Sequence, residues 1–215
     1  GEAGTSTSSI VFGGNDPSGD AAHAEEWNGS SWTEVGNLNT ARREMAGAGV
    51  SAEAALGFGG NTSPRQQTES WNGSSWTEVS DLNTGRQQLA SAGTYTAALA
   101  FGGNAPPRTG ATESWNGSAW TEVNDLNTAR SNLASAISGT YTSTLAFAGI
   151  TPTTGATENW NGVSWQETGD LNTAIYDPAG AGTSAAALSF GGDGPTAVAE
   201  EFISTSNVTK TIGTD

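Results

Sequence analysis

One phrase returns along the chain at a nearly fixed interval. Trp-Asn-Gly-x-x-Trp opens at Trp27, Trp71, Trp115 and Trp160, spaced 44, 44 and 45 residues apart. A second phrase, Phe-Gly-Gly or a close variant, sets Phe12, Phe58, Phe101, Phe147 and Phe190, spaced 46, 43, 46 and 43. All eight tryptophans and five of the six phenylalanines lie on this lattice. A period near 45 residues marks a repeat architecture, in which each unit buries its apolar face against its neighbours. These aromatics are therefore expected to be structural.

The same lattice must build the core. Only 34% of residues are hydrophobic and 30 of the 215 are glycine. Aromatic anchors and close-packed small residues have to replace the usual Leu and Ile.

One full period runs from Arg42 to Gly85. It contains four short segments bounded by turn residues: Glu44 to Val50, Ala54 to Phe58, Gln67 to Trp71 and Trp76 to Val79. Asn72-Gly73 between the last two is a hairpin signal, because both residues tolerate positive φ. No segment holds a helical period over ten residues. Four short antiparallel strands per repeat describe a blade of an all-β propeller.

The repeat resembles the kelch repeat. The matching residues are an Arg before the first strand, a double glycine after the second, an aromatic in the third and a Trp in the fourth. Here they are Arg42, Gly59-Gly60, Trp71 and Trp76, then Arg86, Gly102-Gly103, Trp115 and Trp120. The next copy has Arg130, Ala148-Gly149, Trp160 and Trp165, and the last has Ile175, Gly191-Gly192 and Phe202. The resemblance implies a propeller that binds partners, a minority of such propellers being enzymes. Galactose oxidase, a kelch-type enzyme, needs two His and a Tyr–Cys crosslink for its copper. This chain has one His and no Cys.

Four internal copies and two half-copies at the ends give five blades in one domain spanning 1–215. The repeats run at about 42–85, 86–129, 130–174 and 15–41, with 1–14 and 175–215 contributing to closure and to the last blade. The half-copies predict a composite blade, in which strands near Ala3 and Phe12 pair with strands at Glu200 to Phe202 and Asn207 to Ile212. Such pairing removes two free sheet edges; an open solenoid is the alternative. First strands rich in Ala, Gly and Ser (46–49, 90–93, 134–137, 179–182) suit the crowded axis of a small ring.

Charge narrows the function. Twenty-two acids against seven bases leave a net −15. That opposes binding to nucleic-acid backbones and to anionic membranes. It suits solubility at high ionic strength and fits a saline environment. Without cysteine there is no disulfide and no Cys-based metal site. No apolar run reaches a membrane span and no signal peptide opens the chain. Gly1 in place of Met fits a chain that is processed, engineered or cut from something longer.

The chemistry-bearing residues mostly have structural readings. Glu25, Glu69, Glu113, Glu158 and Glu200 recur two residues before the third-strand aromatic. They could ring a cation, but ion pairs to Arg42, Arg86 and Arg130 account for them better. Asn28-Gly29-Ser30, Asn72-Gly73-Ser74 and Asn116-Gly117-Ser118 match a glycosylation acceptor, and turn chemistry explains their identical placement. Gly73 to Trp76 resembles the Asp-box turn of sialidases without its Asp. Asp16, Ser18 and Asp20 offer too few oxygens for calcium. His23 is the sole histidine, in a stretch read as a variable loop, so a triad would depend on it alone. A paired-carboxylate hydrolase lacks a distinctive pair of acids.

Variation concentrates in the loops between second and third strands: 15–23, 61–66, 104–110, 151–154 and 193–196. These hold His23, Arg65 and Arg108, the expected ligand-binding residues, because loops on a rigid scaffold commonly carry function. The expectation is a non-catalytic binding or adhesion module without cofactor or metal. The alternatives are a purely structural decoration or capping module and a secreted carbohydrate-active enzyme. The Trp-Asn-Gly and Leu-Asn-Thr repeats are similar to those of predicted marine bacteriophage proteins. That likeness implies an extracellular or virion-surface location, with a host surface glycan or another virion structural protein as partner.

Overall fold

The computed structural model describes residues 1–193 and 198–204, and the backbone of 210–211. Among the described residues twenty strands form five antiparallel sheets of four, a five-bladed propeller, and there is no helix. The first blade comprises β1 (Glu2–Thr5), β2 (Ser8–Asp16), β3 (Gly19–Trp27) and β4 (Trp32–Glu34). The second is β5 (Ala46–Ser51), β6 (Ala54–Phe58), β7 (Thr68–Trp71) and β8 (Trp76–Glu78). The third is β9 (Ala90–Thr94), β10 (Ala97–Phe101), β11 (Thr112–Trp115) and β12 (Trp120–Val123). The fourth is β13 (Ala134–Ser135), β14 (Thr144–Phe147), β15 (Thr157–Trp160) and β16 (Trp165–Glu167). The fifth is β17 (Ala179–Gly182), β18 (Ala186–Phe190), β19 (Ala199–Ile203) and β20 (Lys210–Thr211).

The composite blade does not form. β2 pairs with β3 of its own blade, Phe12 facing Ala24 and Asp16 facing Gly19, while β18 pairs with β19 and β19 with β20. The physical reason is the Asp16-Pro17-Ser18-Gly19 turn. It joins two nine-residue strands directly, and a two-residue connection closes at far lower entropic cost than one across the whole chain. Residues 15–23 are thus mostly hairpin, and His23 lies within β3. Of the fourth strand expected at 207–212, Lys210 and Thr211 pair with β19; its other residues lie outside the described ones. The same holds for most of the 193–196 loop.

The first three blades each pack on the next through one repeated contact. The second-strand phenylalanine meets the fourth-strand tryptophan of the following blade. Phe12–Trp76, Phe58–Trp120 and Phe101–Trp165 have ring centroids 4.7, 4.8 and 4.8 Å apart at steep interplanar angles. Edge-on aromatic pairs add about 0.5–1.5 kcal/mol to the burial of the rings themselves. Phe147 plays this part at the fourth junction, against Ile175, Ala187 and Phe202. Within a blade the third-strand indole donates its N–H to the turn between strands one and two, Trp71 to Ala52 O at 2.8 Å and Trp115 to Tyr95 O at 3.1 Å.

The first strands pack in order around the axis, β1 on β5, β5 on β9, β9 on β13 and β13 on β17. Ser135 Oγ donates to Ser91 O at 2.7 Å, and Ser91 Oγ to Gly47 O at 2.6 Å. Gly47 and Gly180 complete this set because nothing larger fits. A Cβ at Gly47 would collide with the Glu2 carbonyl oxygen, and one at Gly180 with that of Ser135. These strands enclose a cavity of about 670 Å³.

The junction between the fifth and first blades is different. Trp32 is 48% exposed and Phe190 43%, whereas Trp76, Trp120 and Trp165 are 6% or less and the other four second-strand phenylalanines 3% or less. The axial cavity reaches Trp32. The ring therefore carries a seam.

Candidate binding face

Two faces differ in kind. On one, the Asn-Gly turns repeat almost unchanged. Asn72 Oδ1 accepts the amides of Ser74 and Ser75, both at 3.0 Å, and Asn28 and Asn116 do the same in their blades. Gly29, Gly73, Gly117 and Gly162 supply the positive φ of that turn. These asparagines are committed to turn chemistry.

The other face combines the loops between second and third strands with the linkers that enter each blade. Backbone hydrogen bonds weld the two: Leu82 N to Gln66 O at 2.9 Å, Arg86 N to Arg65 O at 3.1 Å and Gly60 N to Arg86 O at 3.0 Å. The linker residues Glu44, Gln88, Asn132 and Asp177 share a left-handed backbone, φ 53 to 58°. That conformation aims each amide at the preceding linker. Gln88 N reaches Glu44 O at 2.8 Å, Asn132 N reaches Gln88 O at 3.0 Å and Asp177 N reaches Asn132 O at 2.9 Å. Left-handed non-glycine residues are uncommon and cost energy, and here a hydrogen-bonded girdle around the axis holds them.

Beneath this face lie the recurring glutamates. Arg42 Nη1 and Glu69 Oε1 are 2.6 Å apart, Arg86 and Glu113 2.6 Å, Arg130 and Glu158 2.8 Å, all buried. The linker asparagine fills the second oxygen; Asn39 N and Nδ2 reach Glu69 Oε2 at 2.7 and 2.8 Å. Burial pushes the Arg86 and Arg130 guanidiniums below their usual range, and the paired glutamate opposes it. Glu200 receives Asn172 and Thr173 in the same way, with Ile175 standing where the arginine would be. The carboxylate of Glu25, the equivalent residue of the first blade, has no hydrogen bond or ion pair among the described residues, and the residue is half-buried. Four of the five glutamates are therefore clamped by the linker that precedes their blade.

The sequence-predicted ligand residues occupy three blades. Arg65, half-buried at φ 65°, donates Nε to Asn61 O at 3.4 Å. Arg108, exposed, donates Nε to Ser131 Oγ at 3.2 Å. Each follows a cis proline, Ser63–Pro64 and Pro106–Pro107. His23 has its Nε2 3.6 Å from Asp16 Oδ2. No bond joins these three residues to one another among the described residues.

Sequence reasoning missed a polar cluster between the first two blades. Arg43 Nη1 holds Asp20 Oδ1 at 2.6 Å and Asn15 Oδ1 at 3.1 Å. Asn61 Nδ2 and Thr62 Oγ1 take the other Asp20 oxygen at 2.8 and 3.3 Å. Asp20 thus spends its lone pairs on Arg43, Asn61 and Thr62. Asp16 binds the Ser18 hydroxyl and amide at 2.6 and 2.7 Å, and these bonds hold its carboxyl below the usual range. Among the described residues no group of acids and histidine is arranged to hold a metal.

Of the six arginines, Arg42, Arg43, Arg86 and Arg130 each hold a carboxylate. Among the described residues Arg65 and Arg108 hold none, and both stand on the variable face. Compared with known proteins, the chain matches no family model and has no significant curated match.

Proposed function

We propose that this chain is a non-catalytic binding module of kelch type, and that its ligand lies on the loop-bearing face across Arg65 and Arg108. The observation that carries this is the pair of arginines without carboxylate partners on a chain of net −15. A guanidinium presents a planar fork suited to carboxylates and stacks on rings. Blade-to-blade asymmetry favours the same face, since a unique ligand needs a unique surface. Four of the five recurring glutamates, the most regular acids in the chain, are engaged by linkers and sit below the surface rather than in a cleft. The partner class is an acidic host surface glycan, and the setting a virion surface or appendage, as the likeness of the repeats to marine phage proteins suggests.

A glycan array with the purified chain identifies the ligand. Arg65→Ala and Arg108→Ala are each expected to weaken that binding about tenfold, equivalent to ~1.4 kcal/mol. Ser74→Arg, on the Asn-Gly face, is expected to leave it unchanged. Binding that survives both alanine changes and is lost in Ser74→Arg would move the site to the opposite face.

A further inference from the structure

The seam is one interface of a kind seen at the other junctions, with its two halves left apart. The first blade presents Trp32, with Trp27 tilted against it at 5.5 Å. The fifth presents Leu188 and Phe190 from β18. Their counterparts Leu56 with Phe58, and Leu99 with Phe101, are fully buried against the next blade's tryptophans. An exposed aromatic and aliphatic surface of this sort marks an interaction site.

We infer that a second copy of this chain covers the open face of the first blade, its Phe190 seating edge-on against Trp32 as Phe58 seats against Trp120. Both halves are encoded in one chain and point along the ring in opposite senses, so the contact is heterologous, head to tail. It is continuous in chemistry with the junctions inside the molecule, and this decides the occupant. Closure within one copy is opposed by the contacts between successive blades. Three backbone bonds, Asp177 to Asn132, Asn132 to Gln88 and Gln88 to Glu44, tie the linkers of the second to fifth blades, and Arg43 and Asn61 tie the second blade to Asp20 of the first. Bringing Phe190 onto Trp32 in the same copy would have to shift one of these two sets. A second copy meets the face without bending either ring and pays only the loss of free motion on association. Net charge −15 per copy repels the approach, so the association strengthens with salt.

The chain has no cysteine, which makes crosslinking clean. Sedimentation equilibrium of the unmodified chain is expected to give a mass rising above 21.7 kDa with concentration. The rise should be steeper at about 0.5 M salt than at about 0.05 M, where screening is weaker. Trp32→Cys and Phe190→Cys chains, mixed and mildly oxidised, are expected to form a mixed covalent dimer. Trp32→Glu and Phe190→Glu, both at exposed positions, should keep the circular dichroism spectrum and lose association. A monomer at every concentration and salt overturns the inference. So does association that survives both Glu variants. A chain carrying both cysteines that crosslinks internally faster than the mixed single variants crosslink would show self-closure and overturn it as well. The result is independent of the loop face, where Arg65 and Arg108 lie.

Discussion

Arg86 Nη1 lies 2.6 Å from Glu113 Oε1, with neither side chain exposed. Asn83 and Thr84 of the same linker supply three further donors to that carboxylate. Removing the acid strands a cation in a dry site, which typically costs ~3–5 kcal/mol. Glu113→Gln is expected to destabilise by about that much in urea unfolding. Glu25→Gln, at the same repeat position without a clamp, should fall within about 0.5 kcal/mol of the parent.

Trp76 has a buried indole N–H without a partner among the described residues. Its counterparts reach a threonine of the preceding blade, Trp120 to Thr68 Oγ1 at 3.2 Å and Trp165 to Thr112 Oγ1 at 3.1 Å. The first blade has Ala24 at that position. Ala24→Thr restores the acceptor and should stabilise the chain by about 1 kcal/mol, the usual net worth of a hydrogen bond. A melting temperature that does not rise would show that the site cannot accommodate the hydroxyl.

The third-strand tryptophans should separate by location. Trp115 is buried between blades, and Trp115→Ala is expected to cost ~3–5 kcal/mol, as for large core aromatics. Trp27 faces the seam half-buried and should cost less than half of that. Equal losses in denaturant titration at low protein concentration would mean that the seam is sealed in solution.

Glu167 pairs across the strands with Glu158. Desolvation first, and the Glu158 charge second, raise its carboxyl above its ordinary value of 4.5. An acid raised in the folded state favours its protonated form there. Its favourable contribution is present below 4.5 and is lost as pH rises through the folded value. Glu167→Gln should therefore raise the melting temperature slightly at pH 7, with the difference vanishing below about pH 4. A gain that persists in acid would point to packing rather than charge.

Much of this architecture was legible because one residue type does one job at each repeat position. Trp71, Trp76 and Phe58 announced the blades by spacing alone, and Arg42 announced a partner for Glu69. The composite blade was misread because Gly13-Gly14 resembles the strand-ending Gly59-Gly60. In the first blade the strand continues past it, with a register shift between Phe12 and Gly14, to Asp16. The linker girdle had no signal, since Glu44 and Gln88 are not types that favour a left-handed backbone. The Asp20–Arg43 pair was invisible for another reason: the approach of two blades sets it, and no spacing rule relates residues 23 apart, one in β3 and the other in a linker. The seam lay beyond reach because Trp32 and Phe190 read like their buried counterparts.

The clamp has a consequence for how such a chain can be lengthened or recombined. Asn83 and Arg86 serve the blade they precede, so the portable cassette is a linker with the blade behind it, residues 83–123. A splice between Arg86 and β9 would hand each glutamate an unrelated arginine, or none, as Ile175 already illustrates. Duplications that respect the cassette would add blades without redesigning a single junction, and blade number could drift in descendants of this sequence while every local contact stays the same.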